Sequence, residues 1–267
     1  MNDHELLQAA IRAAIRGGNE ILDVYGQEFA VEFKEDNSPL TLADRRAHKA
    51  ICSALEYTGL PVLSEEGKNI PFEVRKNWPS FWLVDPLDGT KEFVKRNDEF
   101  TVNIALINDG VPVTGVILVP VSRLLYFASH SAGAFKIVLD DKKEKELKNL
   151  VAEAASLPVQ RSSKTYTVVG SRSHMSPETG DFIQRLRETE PDLDFVSIGS
   201  SLKLCLIAEG KADIYPRFGP TMEWDTAAGQ AIVEISGGKL IIAGTDKPVR
   251  YNKPDLLNPW FVASRPR

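Results

Sequence analysis

Five apolar segments of similar length follow one another between residues 81 and 139, and they constrain the fold more than any other feature. Short apolar runs separated by turn residues predict the strands of an antiparallel meander. Asn108-Asp109-Gly110 lies between the second and third segments and is typical of a tight hairpin. The segments are FWLV (81–84), TVNIALI (101–107), VPVTGVILV (111–119), RLLYFAS (123–129) and GAFKIVL (133–139).

Helices are predicted before this sheet, and strands alternate with helices after it. Residues 4–25 place Leu7, Ile11 and Ile15 at helical spacing, and a second helix is predicted from Thr41 to Tyr57. In the second half, strands are predicted over 165–171, 194–199 and 212–218, and helices over 177–188, 201–210 and 226–238. This alternation is typical of an α/β layer with crossovers.

We therefore predict the α/β class, as a layered αβαβα sandwich with an α+β N-terminal half and an α/β C-terminal half. The mixed-charge stretch DDKKEKELKNL (140–150) predicts a solvated connection, because its charges alternate in sign. We place the boundary there, with residues 1–140 carrying most metal ligands and residues 141–267 carrying specificity and Asp225.

Composition excludes several classes of function. The 267 residues have a formal net charge of −5 and show no basic stripe, so a nucleic acid polymer is not an expected partner. Only two cysteines occur, Cys52 and Cys205, and no apolar run is long enough to span a bilayer. We expect a cytoplasmic protein, with peripheral attachment to the inner face of the cell membrane left open, that acts as a monomer or a homodimer.

Two aspartates follow the first apolar segment in WLVDPLDGTKEF (82–93). Pro86 restricts Asp85 to an extended backbone, so the following turn aims Asp85 and Asp88 at one point. Carboxylates this close repel unless a cation separates them, and hard oxygen ligands select Mg²⁺. The alternative is a plain turn in which one aspartate caps a helix that begins near Thr90.

Three further acidic residues, at two places in the chain, have the same character. Glu65 and Glu66 follow an apolar stretch and precede a glycine, and Asp225 precedes TAAGQ at a predicted helix N-cap. A solvated loop and simple capping are the respective alternatives. Together Glu65, Asp85, Asp88 and Asp225 could hold two or three Mg²⁺ ions that share the phosphate oxygens of a substrate.

Gly89 and Thr90 complete this predicted phosphate site. A glycine lets the backbone approach an anion closely, and the first N–H groups of the next helix would face it. The Thr90 hydroxyl could orient an attacking water molecule.

The motifs SEEG (64–67), DPLDGT (85–90) and EWDTAAG (223–229), with SPLTLADRRA (38–47), resemble the lithium-sensitive, Mg²⁺-dependent phosphatases of the inositol monophosphatase superfamily. The resemblance covers nearly the whole chain. It implies that Glu65, Asp85 and the Leu87 carbonyl bind the metal that activates water, and that Asp85, Asp88 and Asp225 bind a second metal.

The same resemblance implies a catalytic set and a phosphate cradle. Thr90 with Asp44 would orient or deprotonate the nucleophilic water, and Glu66 would support Glu65 from behind. The Gly89 and Thr90 N–H groups would hold the reacting phosphate. Water would attack phosphorus in line, without a covalent enzyme intermediate.

Substrate specificity is predicted to lie in the second half. Lys203 and Arg217 stand where inositol monophosphatases usually have a neutral residue and a glutamate, and two cations suit a second phosphate. With His174, Ser200 and Asp225 as further substrate contacts, the resemblance extends to the 3'(2'),5'-bisphosphate nucleotidases. The implied reaction converts adenosine 3',5'-bisphosphate, a small-molecule by-product of sulfate assimilation, to AMP and phosphate.

The residues alone leave alternatives to this assignment. Lys203 could be a solvated lysine, Arg217 could pair with Glu223, and His174 could be an ordinary loop histidine. At the level of function, the alternatives are an inositol monophosphatase or another small sugar-phosphate phosphatase, and a non-catalytic nucleotide-binding relative.

Overall fold

The computed structural model describes residues 1–28, 31–33, 39–140, 146–160, 165–171 and 175–265. The first part of the chain contains α1 (Asp3–Tyr25), β1 (Val31–Phe33), β2 (Pro39–Thr41), α2 (Leu42–Leu55), β3 (Val62–Ser64), α3 (Phe72–Arg75), β4 (Ser80–Asp88), α4 (Thr90–Val94), β5 (Thr101–Asn108), β6 (Val111–Val119), β7 (Leu124–Ser129) and β8 (Gly133–Val138).

The second part adds further helices and strands. They are α5 (Leu147–Glu153), β9 (Ala155–Ser156), β10 (Thr167–Ser171), α6 (Pro177–Thr189), β11 (Asp194–Ile198), α7 (Leu202–Ala208), β12 (Ile214–Arg217), α8 (Glu223–Ile235), β13 (Lys239–Ile242) and β14 (Phe261–Ser264). A short antiparallel pair, β1 with β2, precedes α2.

The larger sheet contains the predicted meander. Its strand order is β3-β4-β5-β6-β7-β8-β9, and each neighbouring pair from β4 to β9 is antiparallel, while β3 runs parallel to β4. The predicted hairpin joins β5 to β6, and Asp109 and Gly110 both have positive φ (47° and 74°), as a turn of this kind requires.

Helices pack on both faces of this sheet and form the layers of the fold. One face packs on α1 and α2 through a core that includes Leu7, Ile51 and Val116. The opposite face packs on α7 and α8 in a second core that includes Leu83 and Ile117. The second sheet, β11-β10-β12-β14-β13, covers the other side of α7 and α8, and α6 packs on β12. The predicted αβαβα sandwich is confirmed.

The second sheet is mixed rather than parallel throughout. Strands β10, β11 and β12 are parallel, as the predicted crossovers require, but β14 pairs antiparallel with both β12 and β13. The sequence analysis did not predict β13 and β14.

The prediction of a solvated connection over residues 140–150 is wrong for its last part, while residues 141–145 lie outside the described residues. Leu147 and Leu150 are buried, so α5 packs on the body of the protein and is not a solvated connection. Strand β9 then pairs with β8, which extends the first sheet to Ser156. The division of the chain near residue 140 stays a prediction. In the part of the chain that the structure describes, no helix is long and apolar enough to cross a membrane.

Strand β6 and helix α8 approach each other closely at Gly115. A Cβ atom there would overlap the Ala228 carbonyl oxygen and lie 2.9 Å from Cβ of Ala231. These atoms belong to a strand and a helix that are both buried, so they have little room to move. A glycine at this position therefore permits the contact between the first sheet and the central helix layer.

We expect Gly115→Ala to lower the free energy of unfolding by about 2 kcal/mol and the melting temperature by about 5 °C. Thermal and denaturant unfolding of the purified variant measure the effect. Gly180→Ala is the matched control, since a Cβ atom at that exposed position of α6 meets nothing within 4 Å. The control should be neutral or slightly stabilising. Equal stability of the two variants would contradict the close-packing argument.

Candidate functional site

A cavity of about 330 Å³ lies where the first sheet, α4, α7, α8 and the second sheet meet. Residues from both halves of the sandwich line it, among them Glu65, Asp85, Asp88, Gly89, Thr90, Ser200, Lys203, Arg217 and Asp225. Most of the predicted site residues are therefore brought together from positions more than a hundred residues apart in sequence.

The two aspartates of the DPLDGT motif lie at the end of a strand rather than in a turn after it. Strand β4 continues to Asp88, and its pairing with β5 shifts between Asp85 and Asp88, opposite Asn103 and Thr101. Three steps along β4 thus face two along β5, which is a β-bulge. Within the bulge, the Leu87 N–H donates to Asp85 Oδ1 at 3.0 Å. The predicted turn is corrected to a bulged strand end.

Three carboxylates converge on one point of the cavity. Glu65, Asp85 and Asp225 each offer one oxygen, and these atoms all lie within 4.8 Å of one another. Burial, followed by the charges of Glu65, Asp88 and Asp225, raises the pKa of Asp85 well above its ordinary value. Burial and then the charge of Asp88 raise the pKa of Asp225 in the same way. A divalent cation among these oxygens would remove the repulsion.

The N-terminus of helix α8 differs from the predicted one, in which Asp225 is the N-cap residue. The N-cap residue is Met222, and Asp225 lies in the first turn, where Asp225 Oδ2 accepts a hydrogen bond from the Met222 N–H at 2.8 Å. The N-cap prediction for Asp225 is therefore wrong. The bond holds one carboxylate oxygen at the helix terminus and fixes the side chain over the cavity.

Asp88, at the end of β4, is hydrogen-bonded to the segment that directly precedes α7. Asp88 Oδ2 accepts hydrogen bonds from the Ser200 hydroxyl at 2.7 Å and from the Ser201 N–H at 2.6 Å. Ser200 has a φ of 53°, a strained conformation for a residue with a side chain. The bond from its hydroxyl to Asp88 helps to hold that conformation.

The Thr90 hydroxyl and the Asp44 carboxylate form the predicted pair. Thr90 Oγ1 donates to Asp44 Oδ1 at 3.2 Å and lies 3.3 Å from the Leu87 carbonyl oxygen. The other oxygen, Asp44 Oδ2, accepts from the Thr41 N–H at 2.7 Å and from its hydroxyl at 2.6 Å. Burial raises the pKa of Asp44 although these hydrogen bonds oppose the shift.

Gly89 is the residue at which the backbone turns from β4 into α4. Its φ is 92°, and a Cβ atom there would lie 3.1 Å from the Glu99 carbonyl oxygen, so a side chain would be both strained and crowded. The N–H groups of Gly89 and Thr90 follow directly on Asp88, at the cavity wall.

Glu66 lies behind the cavity and does not line it. Its negative charge contributes to the raised pKa of Asp44 and opposes the lowering of the His48 pKa by burial. His48, which the sequence analysis did not single out, contacts the Ser64 hydroxyl at 2.9 Å through Nδ1. This contact supports the strand that ends directly before Glu65.

Lys203 is buried, so the alternative of a solvated lysine is wrong. Its ammonium group donates to the carbonyl oxygens of Ser200 and Ile198, the latter at 3.3 Å. Burial lowers the pKa of Lys203 to about 8, although the charge of Asp88 opposes the shift. Tyr215 lies below it, with the ammonium 5.7 Å from the ring centroid.

Arg217 does not pair with Glu223. Arg217 Nη2 donates to the Pro220 carbonyl at 2.8 Å, while its buried Nε has no hydrogen-bond partner in the described part of the chain. The Glu223 carboxylate instead binds the Asn252 N–H at 2.7 Å and Lys253. His174 lies outside the described residues, and its predicted contact stays a prediction.

Lys91 and Glu92 also line the cavity, and the sequence analysis missed both as site residues. The spacing could have identified Glu92, since on a helix that begins at Thr90 it lies one turn after Gly89. The alternation of β12 could have identified Tyr215, which shares a strand face with Arg217.

Known proteins resemble this chain over nearly its whole length. The model of the inositol monophosphatase family matches residues 2–265. The chain is 42% identical over 264 residues to the 3'(2'),5'-bisphosphate nucleotidase CysQ of Escherichia coli (strain K12), covering 97% of this chain and 99% of that protein. It is also 42% identical to the protein of the same name from Salmonella typhimurium, covering 96% and 98%.

Among solved structures, the chain superposes on CysQ from Bacteroides thetaiotaomicron with a TM-score of 0.92 and 49% identity, covering 99% of this chain and 98% of that one. The extragenic suppressor protein suhB from Bartonella henselae, with a TM-score of 0.73 and 24% identity, shares the fold. The chain belongs to the inositol monophosphatase family.

Proposed function

We propose that this chain is a 3'(2'),5'-bisphosphate nucleotidase that hydrolyses adenosine 3',5'-bisphosphate to AMP and phosphate. The observation that carries the proposal is one cavity lined by Glu65, Asp85 and Asp225 and also by two cations, Lys203 and Arg217. Full-length relatives with this activity in their names support it. A role in sulfur metabolism, a cytoplasmic location and a monomeric or dimeric state stay predictions.

The acidic cluster fits divalent magnesium, and we propose two or three ions per site. Its donors are all oxygens, and burial and mutual repulsion raise the pKa values of Asp85 and Asp225. Glu65, Asp85 and the Leu87 carbonyl would hold one ion, and Asp85, Asp88 and Asp225 a second. When bound, such ions lower the pKa of water and neutralise charge on the phosphate.

The residues of the chain would position the other participants. The Thr90 hydroxyl donates to Asp44 Oδ1, so its lone pairs are left to accept a hydrogen bond from the attacking water, and a proton taken from that water would be balanced by transfer of the hydroxyl proton to Asp44. Because Asp44 is buried and has a raised pKa, it can take that proton. The Gly89 and Thr90 N–H groups would hold the phosphate oxygens while water approaches from the opposite side.

Lys203 and Arg217 would bind the 5'-phosphate, which does not react. The Arg217 Nε is a buried donor without a partner in the described residues, and a phosphate oxygen would satisfy it. Lys203 approaches from α7 with an ammonium group already fixed by two carbonyl oxygens. A substrate with one phosphate would leave the buried Arg217 Nε without a partner, which favours the bisphosphate over inositol phosphates.

We expect Mg²⁺-dependent release of phosphate from adenosine 3',5'-bisphosphate with a kcat/KM at least about tenfold above those for adenosine 3'-monophosphate and inositol 1-phosphate. A phosphate-release assay with these substrates, with fructose 1,6-bisphosphate and with added lithium, measures this preference. Faster hydrolysis of inositol 1-phosphate would contradict the nucleotidase assignment but not the family.

Arg217→Gln should raise KM for adenosine 3',5'-bisphosphate by about 10- to 100-fold with a smaller change in kcat, since its charged hydrogen bonds are made to a group that does not react. For adenosine 3'-monophosphate the KM should change little. Lys239→Gln, an exposed lysine outside the cavity, is the control. An equal loss with both nucleotides would show that Arg217 does not contact the 5'-phosphate.

The metal-free protein should lose stability as the pH rises. Asp85 and Asp225 have raised pKa values when folded, so the folded state binds more protons than the unfolded state above about pH 4. The free energy of unfolding therefore falls in chelator as the pH rises above about 4 and until the raised pKa values are passed. At pH 7, Mg²⁺ at 100 times its Kd should restore about 2.7 kcal/mol.

Asp85→Asn should flatten this pH dependence and abolish the stabilisation by Mg²⁺, because it removes one of the repelling charges and a shared ligand. Asp192→Asn, an exposed aspartate, is the control. Thermal unfolding with chelator and with Mg²⁺ across this pH range tests both statements. A Mg²⁺ response that persists in Asp85→Asn would contradict the proposed ligand set.

A further inference from the structure

Glu92 is a buried carboxylate in the cavity wall that the proposed mechanism does not use. Only 9% of the residue is exposed, and it lines the cavity from α4. Within the described part of the chain, its carboxylate makes no hydrogen bond and no ion pair. Its negative charge does reach Lys203, whose pKa it raises. Its oxygens are not among the fully buried, unpartnered side-chain atoms of the described residues, so the carboxylate is open to the cavity, from which a bound molecule can supply a hydrogen-bond donor.

The Glu92 side chain lies in space that two glycines leave open. A Cβ atom at Gly89 would lie 3.4 Å from Glu92 Oε2, and a Cβ atom at Gly199 would lie 3.0 Å from Glu92 Cγ. The carboxylate therefore lies beside Gly89, and the stem of the side chain passes Gly199. This position is next to the reacting phosphate of the proposed function.

We propose that the Glu92 carboxylate accepts a hydrogen bond from the ribose 2'-hydroxyl of the substrate. The proposal rests on the proposed nucleotidase function and deepens it. A carboxylate can only accept hydrogen bonds, and it repels phosphate, so its ligand is a neutral donor. In a 3'-phosphorylated ribose, the donor nearest to the scissile phosphoester is the hydroxyl on the adjacent carbon. The cations Lys203 and Arg217 line the same cavity and suit the second phosphate.

A hydrogen bond from the 2'-hydroxyl to Glu92 makes the sugar of the substrate a determinant of substrate specificity. A substrate that lacks the 2'-hydroxyl leaves the Glu92 carboxylate desolvated and without a donor. Sites that hydrogen-bond a substrate hydroxyl discriminate strongly against the analogue that lacks it, because the loss of a partner for a buried charged group costs more than the bond gains. Discrimination between ribose and deoxyribose is therefore the property that Glu92 controls.

The test compares adenosine 3',5'-bisphosphate with its 2'-deoxy analogue in the Mg²⁺-loaded, full-length enzyme. We expect the wild type to favour the ribonucleotide in kcat/KM by at least about tenfold, the effect of one hydrogen bond to a charged acceptor. In Glu92→Ala this ratio should fall to about one. Glu92→Gln retains the shape and an acceptor oxygen without the charge, and should give an intermediate ratio. Lys95→Ala, an exposed residue at the end of α4, should keep the wild-type ratio.

Each other outcome overturns the proposal. A wild-type ratio near one, or a ratio that Glu92→Ala leaves unchanged, excludes a contact with the 2'-hydroxyl. A variant that only raises the Mg²⁺ concentration for half-maximal activity assigns Glu92 to the metal site. A variant that alters the preference for adenosine over inosine 3',5'-bisphosphate assigns it to the base amine. Failure of the wild type to hydrolyse either adenosine bisphosphate defeats the nucleotidase function itself and is thus a distinct result.

Discussion

The repulsion among buried carboxylates is the constraint on which this site depends. Glu65, Asp85 and Asp225 come from a loop, a strand and a helix, and nothing in their local sequences would hold their oxygens within 4.8 Å of one another. The packed layers do so at a cost that appears as the raised pKa values of Asp85 and Asp225. A protein keeps such an arrangement where a cation is to be bound, because the folded layers then provide the ion with a site that needs little rearrangement.

The same layers explain why metal binding and specificity share one cavity. The bulge at the end of β4 places Asp88 toward α7, where it accepts hydrogen bonds from Ser200 and Ser201. A residue proposed as a metal ligand is thereby bonded to the segment that positions Lys203. We infer that the two functions are physically coupled, since a shift of α7 would disturb the hydrogen bonds of Asp88.

Much of the fold could be predicted from the sequence, because the strands of the first sheet are apolar, regularly spaced and separated by turn residues. Strands β13 and β14 were missed, since their pairing is set by contacts across the second sheet and not by local pattern. The N-cap prediction for Asp225 failed for a related reason: Met222 is not a typical cap, and its backbone bond to Asp225 appears only in three dimensions. Glu92 was missed because one of the two glycines beside its side chain, Gly199, lies more than a hundred residues away in sequence.

Because Gly115 has no side chain, helix α8 can approach the first sheet closely, and this approach affects the proposed metal site. Ala228, which touches that glycine, lies on the same helix as Asp225 and less than one turn further along. The approach of α8 to the first sheet therefore sets how far Asp225 lies from Asp85. Mg²⁺ requires short, nearly octahedral bonds, whereas Ca²⁺ accepts longer and more irregular ones. The close approach of a strand and a helix, permitted by one missing methyl group, thus sets the width of the gap that a bound cation has to span.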